Sequence, residues 1–471
     1  MGGRSPHLSR RNLLLGGASV IATGGGAAAI NAVTPLVLPE TPRFEINDSY
    51  WSLALPPPNP PPARDLRADV LVIGGGFTGL SAAYYLRQAL PKADVVVLEA
   101  ARCGNGASAR NGAMLLTSTE DTYMEPGGDP LLQRRLYALT CDNIERIRRL
   151  SAETGIDCEL DQQGALQVAY DESVGQQMPA IARRLRAAGL PIEAWTGIEV
   201  AQALGTHVYA AGLYDPNSGQ VHPGKMVALW KRAAERVGVR VYENAPVSFV
   251  EEGPRVRLAL AGGMTASAPI VILAANAYSS KLGYLRNAVV PIVNHVAITA
   301  PLTDAELVAA GWARRIPFND SRTNVVYAGL TRDQRLHIGG GIEEYEFNDG
   351  LADPDDRGGG VAFLRREMAR LYPALATVPF ERVWYGFVDM SFDGSSSVGR
   401  TGRYGNLLYA IGFSGQGVNW TSILGRVLGD LAAEREAQWA WLPYLNRRLR
   451  YIPNEPFRWP GVEGGIRLLS S

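Results

Sequence analysis

Lysine and cysteine are scarce in this 471-residue chain. The four lysines are Lys92, Lys225, Lys231 and Lys281, so 42 of the 46 cationic residues are arginine. Lysine-dependent chemistry therefore has few candidates. Three cysteines (Cys103, Cys141 and Cys158) are too few for a disulfide framework, and no CxxC or CxxxxC pair exists to make a dithiol redox centre. The five histidines are scattered without HExxH spacing, so no metal site is expected. Net charge is also absent, with 46 basic against 46 acidic residues, which argues against a nucleic-acid partner. The 52 glycines and 30 prolines follow no period, excluding collagen-like and solenoid folds. With 46% hydrophobic and 20% charged residues, the chain can bury a large core. Its length suits two domains or one large enzyme fold.

The stretch from Asn12 to Pro39 carries no charge over 28 residues and includes five glycines. Ser9-Arg10-Arg11-Asn12-Leu13-Leu14-Leu15 precedes it. Paired arginines before a weakly hydrophobic run have the character of a twin-arginine (Tat) export signal. Residues 1–39 are read as that signal, cut near residues 27–29 or kept as a membrane anchor. The expected location is periplasmic or extracellular. The pathway exports folded proteins, which suits a chain that folds around a tightly held cofactor.

Residues 40–67 read as an arm and linker, with Pro56-Pro57-Pro58-Asn59-Pro60-Pro61-Pro62 as an extended polyproline strap. Beyond it the pattern is α/β plus α+β. Val70 to Ile73 and Val95 to Leu98 are short apolar runs suited to strands of a parallel sheet buried on both faces. Residues 80–89 between them are helical. Helices are expected over 131–153 and 174–188, and strands over 165–170, 289–300, 324–328 and 335–338. A last strand at 407–411 precedes a helix over 418–434, where Trp420, Ile423, Leu424, Val427 and Leu431 keep helical spacing. The pattern predicts a Rossmann-like dinucleotide-binding domain (68–115, 213–285 and 381–440). It is interleaved with a substrate-binding domain on an antiparallel-rich sheet (116–212 and 286–380). A tail follows over 441–471, where Trp439, Trp441, Arg447, Arg448, Arg450, Arg458 and Trp459 suggest either a peripheral membrane patch or packing on the chain's own domain.

Gly74-Gly75-Gly76-Phe77-Thr78-Gly79 satisfies G-x-G-x-x-G between a buried strand and a helix that starts with small residues, Ser81-Ala82-Ala83. The second buried strand ends at Glu99. Each part has a task in dinucleotide binding. Gly74 allows the tight turn, Gly76 lets backbone approach a pyrophosphate, and Gly79 lets helix and strand pack closely. The helix N-terminus, at Phe77 and Thr78, attracts phosphate. Glu99, followed by Ala100, accepts hydrogen bonds from ribose hydroxyls. The next run, Gly104-Asn105-Gly106-Ala107-Ser108-Ala109-Arg110-Asn111-Gly112, is small and polar, suited to lying along an extended ligand.

At this run the chain resembles the D-amino-acid oxidase / glycine oxidase superfamily of FAD-dependent oxidoreductases, most of all the gamma-glutamylputrescine oxidase branch. The family has GASGRNGG where this chain has GASARNGA. Ser49-Tyr50-Trp51, Gln220-Val221-His222-Pro223, the strand from Val271 to Tyr278, Asp333 to Gly341, Trp384, Asp393, Gly399 and Gly412-Phe413-Ser414-Gly415-Gln416-Gly417 extend the likeness over nearly the whole chain. The resemblance implies that the ADP part lies against Gly74, Gly76, Gly79 and Glu99. Ser108, Arg110 and Asn111 would follow the pyrophosphate towards the isoalloxazine, with Gly106, Ala107 and Gly112 beside them. Val247, ending the strand pattern after Tyr242, and Ala274 would also contact FAD. Gly412, Gly415, Gln416, Gly417 and Val418 would place a helix N-terminus at the flavin.

The resemblance also has departures. Gln416 stands where GFSGHG members have His. Asn419 stands where sarcosine oxidases have Lys. Gly386 and Asn111 align with the Cys and His that attach FAD covalently in other branches, so FAD is expected to be non-covalent. The implied reaction is oxidation of a C–N bond in a small amine or amino acid, with the imine hydrolysed afterwards and oxygen or a quinone as electron acceptor. Candidates facing the flavin are Arg110, Asn111, His295, Tyr327 and Trp384. His295 sits in an apolar strand and reads more readily as a structural histidine, and Tyr327 shares a strand face with Val325, opposite Val326. Arg322 or Arg332 would suit a substrate carboxylate. Two other readings remain: a membrane-anchored, quinone-linked amino-acid dehydrogenase or deaminase, and a flavin-binding protein without amine turnover.

Overall fold

The computed structural model describes residues 49–118, 128–322, 324–341, 344–351 and 358–470. The expected export signal at 1–39 lies outside the described residues.

The apolar runs form the centre of a six-stranded sheet. Its order is Ser397–Thr401, Leu407–Ile411, Ile270–Leu273, Val70–Ile73, Val95–Leu98 and Arg240–Tyr242. Ser397–Thr401 runs antiparallel to its neighbour and the remaining pairs are parallel. Alternation explains why the runs are continuously apolar. Val70, Val72, Val95 and Val97 pack under the helices Phe77–Ala89, Pro223–Arg236 and Gly417–Ala432. Leu71, Ile73, Val96 and Leu98 pack under a four-stranded sheet of Leu66–Arg67, Thr265–Ala268, Val256–Leu260 and Val247–Glu251. Both faces are covered, so each residue in the two central strands is buried. Helices Phe77–Ala89 and Gly417–Ala432 approach through small residues. A Cβ on Gly425 would lie 2.0 Å from Ser81 Oγ, and one on Gly429 would lie 2.9 Å from Ala82 O.

A second, nine-stranded sheet runs Glu344–Tyr345, Val289–Thr299, Leu336–Gly340, Val326–Leu330, Phe318–Asp320, Ala165–Ala169, Ala211–Asp215 and Glu193–Thr196, with Phe380–Ser391 paired along Val289–Thr299. Phe318–Asp320 pairs parallel with Ala165–Ala169, and the other pairs are antiparallel. One face packs on a separate core that holds Ile338, Val326, Phe318 and Leu166. The other face looks towards the parallel sheet.

Two details differ from the sequence expectation, and the tail follows the second of its two readings at Trp439 and Arg458. Phe380–Ser391 belongs to the nine-stranded sheet, whereas the boundary at 381 assigned it to the dinucleotide-binding part. Val247 opens a strand of the four-stranded sheet rather than ending the one after Tyr242. The tail is not one exposed patch. Trp439 is buried and its indole donates to Asp430 Oδ2 at 2.9 Å, while buried Arg458 binds Asp349 at 2.7 Å. Among the described residues, no helix is long and apolar enough to cross a membrane.

Candidate functional site

A long cavity runs from the carboxyl ends of the central parallel strands to the inner face of the nine-stranded sheet. At its first end the chain turns sharply from Val70–Ile73 into helix Phe77–Ala89. Gly74 has φ +111°, and a Cβ there would lie 2.4 Å from Ala274 O. A Cβ on Gly76 would fall 2.8 Å from Ser108 Oγ. These glycines leave backbone exposed to the cavity and make room for a phosphate at the helix N-terminus. Glu99 lies beside them. Its Oε2 accepts from Gly75 N at 2.6 Å and its Oε1 from Ala101 N at 3.1 Å. Burial pushes its carboxyl above the ordinary value.

The 104–112 segment forms the wall between the two ends. Ser108 Oγ accepts from Phe77 N at 2.9 Å, tying the segment to the first helix. Asn111 braces its own turn, donating to Ala107 O at 3.1 Å and Ser108 O at 2.9 Å and accepting from Ala113 N at 2.9 Å. Arg110 lines the cavity, yet its guanidinium is tied to Asn105 O at 2.6 Å and Tyr385 O at 3.2 Å. It shapes the wall and is not presented as a free cation.

Opposite lies the start of helix Gly417–Ala432. Ser414 (φ +49°) and Gly415 (φ +90°) make a turn that aims this second helix N-terminus into the cavity. Asp389, also in the lining, holds the turn, its Oδ2 accepting from Gly412 N at 2.6 Å. Burial pushes its carboxyl up to about 7, against the opposing pull of backbone donors. The side-chain oxygen of Gln416 is buried and finds no donor among the described residues. A ligand with a hydrogen-bond donor in the cavity would satisfy it.

At the far end, sheet register places polar groups in a row. Gln167 pairs with Asn319, Asn319 with Tyr327, and Tyr327 with Gly339. Gln167, Asn319 and Tyr327 all line the cavity. Tyr327 donates to Asn294 Oδ1 at 3.0 Å, and burial holds its phenol well above the ordinary value, so it acts as a hydrogen-bond donor and not as an anion. Asp215 borders this end and accepts from Tyr137 at 2.8 Å, Ser218 at 3.1 Å and Thr117.

Of the flavin-site residues singled out in the sequence, Gly79, Gly412, His295 and Trp384 lie outside the lining, as do the carboxylate candidates Arg322 and Arg332. Gly79 sits behind it, where a Cβ would be 1.9 Å from Gly74 O, so its role is close helix packing. Gly412 acts through its amide on Asp389. His295 is one residue out of phase with Asn294, so strand alternation turns it to the opposite sheet face, beside Gly360 and Tyr385. Trp384 is 1% exposed and lies beneath the 104–112 segment, donating to Arg110 O at 3.0 Å. Neither ring reaches the cavity. Arg322 is bound by Asp320 and Glu367, and Arg332 by Asp157. Sequence reasoning passed over Gln167, Asn294, Asn319 and Asp389. Gln167 had a signal, a polar residue alternating with Leu166 and Val168 in a predicted strand.

The cavity fits an extended dinucleotide. Two glycine-widened backbone stretches, a buried ribose-level carboxylate, two helix N-termini and an orphaned acceptor face one ligand-length space. A probable oxidoreductase, OrdL, of Haemophilus influenzae is 28% identical over 381 residues, covering 79% of this chain and 84% of that protein. Gamma-glutamylputrescine oxidoreductase of Escherichia coli K12 is 29% identical over 388 residues, covering 81% and 88%. The crystal structure of glycine oxidase from Geobacillus kaustophilus superposes with a TM-score of 0.69 at 23% identity, covering 81% of this chain and 99% of that one, a likeness of fold. Residues 69–431 match the DAO family, described as FAD dependent oxidoreductase, and the chain therefore belongs to that family and uses FAD.

Proposed function

We propose that this enzyme oxidises a C–N bond of a small amine or amino acid. The observation that carries the reading is the polar row Gln167–Asn319–Tyr327, with Asn294, at the end of the cavity that also holds the dinucleotide cradle. FAD, held by the glycine turns at Gly74 and Gly415 and the two helix N-termini, would supply the two-electron oxidation of the C–N bond, and water would hydrolyse the resulting imine. The protein's own groups bind and orient. Amide and phenol groups hold the polar end of the substrate, and Tyr327, kept protonated by burial and donating to Asn294, offers its phenol oxygen to a substrate N–H. The helix N-terminus at Gly417 favours negative charge facing it. The names of the two relatives, a gamma-glutamylputrescine oxidoreductase and a glycine oxidase, support a nitrogenous substrate.

We further propose that FAD is held without a covalent bond. Gly386 and Asn111 line the cavity and offer no nucleophile, and Cys103 is buried with its thiol pushed up by burial. The reading extends to Tat export of the folded protein, on the strength of Arg10-Arg11. The decisive test is anaerobic addition of amines and amino acids to purified protein, followed by acid precipitation. Bleaching by one substrate class, with FAD released into the supernatant, is expected. A flavin that no amine bleaches would favour the reading without turnover. Oxygen uptake during turnover distinguishes oxygen from a quinone as acceptor. Replacing Arg10 and Arg11 by Lys should retain the protein in the cytoplasm, and undiminished export would refute the signal.

A further inference from the structure

Three consecutive backbone carbonyls of the 104–112 segment are each taken by a side chain from elsewhere. Ser49 Oγ donates to Ala109 O at 2.5 Å, Trp384 Nε1 to Arg110 O at 3.0 Å, and Trp51 Nε1 to Asn111 O at 2.9 Å. All three donors are essentially inaccessible, at 0%, 1% and 1% exposure. The two indoles meet edge to face with ring centroids 6.0 Å apart, and Trp51 also packs edge-on against His222 and His337. Behind Trp51, a Cβ on Gly224 would lie 1.9 Å from the Trp51 carbonyl, so backbone seats the arm closely on helix Pro223–Arg236. With its carbonyls drawn into the protein, the segment turns Ser108, Arg110, Asn111 and Gly112 to the cavity.

We propose that residues 49–54 form a latch on the FAD cradle. Ser49, Trp51 and Trp384 are positioning residues, and docking of the arm is energetically coupled to FAD binding. The proposal rests on the reading that residues 105–112 lie against FAD. Coupling of this kind is reciprocal, so FAD must tighten the arm as much as the arm tightens FAD. The donors touch neither FAD nor substrate and act through the three carbonyls.

The test uses deflavinated full-length protein titrated with FAD, read by flavin fluorescence and by the shape of the visible flavin band. Trp51→Phe keeps a ring in place and removes the donor. It should weaken FAD binding about tenfold, the worth of one buried hydrogen bond, and alter the band. Trp312→Phe is the matched control. Its indole also donates to a backbone carbonyl, that of Arg314 at 2.6 Å, in the outer core away from the cavity. It should bind FAD as the unmodified chain does. Equal affinities for the two variants would overturn the latch. Hydrogen exchange on the unmodified chain gives an independent readout. FAD should slow exchange in 49–55 as well as in 105–113. Protection of 105–113 alone overturns the coupling, and protection of neither stretch overturns the reading beneath it.

Discussion

Tyr327 occupies the space that Gly339 leaves open on the neighbouring strand. A Cβ on Gly339 would lie 2.4 Å from the Tyr327 ring and hydroxyl, and one on Gly112 would lie 2.4 Å from Cε2 of the same ring. The phenol that heads the substrate end is thus held between two glycines and by Asn294. Gly339→Ala should displace the ring while the sheet register survives. KM should rise and the far-ultraviolet circular dichroism should stay unchanged. Tyr327→Phe removes the hydrogen bond alone, and kcat/KM should fall about tenfold, measured with the substrate that bleaches the flavin.

Asp389 gives the protein a pH slope. Its carboxyl titrates near 7 when folded and near the ordinary carboxylate value when unfolded, so between those values the folded state holds the extra proton. Stability from this group is present at low pH and is lost as pH rises through about 7. Asp389→Asn should abolish that slope, seen as a flatter Tm profile between about pH 4 and pH 7, the window set by the two values.

His222 and His337 act in the opposite sense. Burial pushes both down to about 4, so each stays neutral in the folded protein where an unfolded histidine would take a proton. Their contribution is complete above the ordinary histidine value and is lost as pH falls towards 4. Both rings touch Trp51. Acid titration should therefore lower the protection factors of residues 49–55, taken against the intrinsic exchange rate at each pH, before global unfolding, and the double variant His222→Gln, His337→Gln should lose that response.

Lys231 and Glu243 form a buried ion pair, 4% and 1% exposed at the side chains. Glu243 also accepts from Asn59 N and Cys103 N, both at 2.6 Å, joining the proline-rich strap to the loop after Glu99. Lys231→Met leaves that carboxylate uncompensated and should cost about 3–5 kcal/mol in urea unfolding. Lys92→Met, at an exposed turn, is the control and should cost nothing measurable.

The dinucleotide end was legible in the sequence because its requirements are local. A turn of glycines, a helix start and an acid twenty residues on are adjacent along the chain, and Gly74, Gly76 and Glu99 line the cavity. The substrate end was legible only in part. Tyr327 was found with its face shared by Val325, and both line the cavity while Val326 packs in the outer core. Its companions Gln167 and Asn319 come from strands paired by long-range register, which no local spacing encodes. His295 carried the structural reading as its stronger one, and one residue of strand phase turns it away from the cavity. Trp384, expected to face the flavin, lies instead under the 104–112 segment, because an indole donor can serve a carbonyl as readily as it can face a ligand.

The three carbonyl contacts beneath residues 109–111 also bear on how the chain folds. Their partners lie 60 and 274 positions away in sequence, so the wall of the cavity closes only after the arm, the parallel sheet and Phe380–Ser391 have come together. Contacts of such separation form slowly, since loop closure must precede their reward. The wall therefore depends on distant parts of the chain having met, and no local stretch can form it alone.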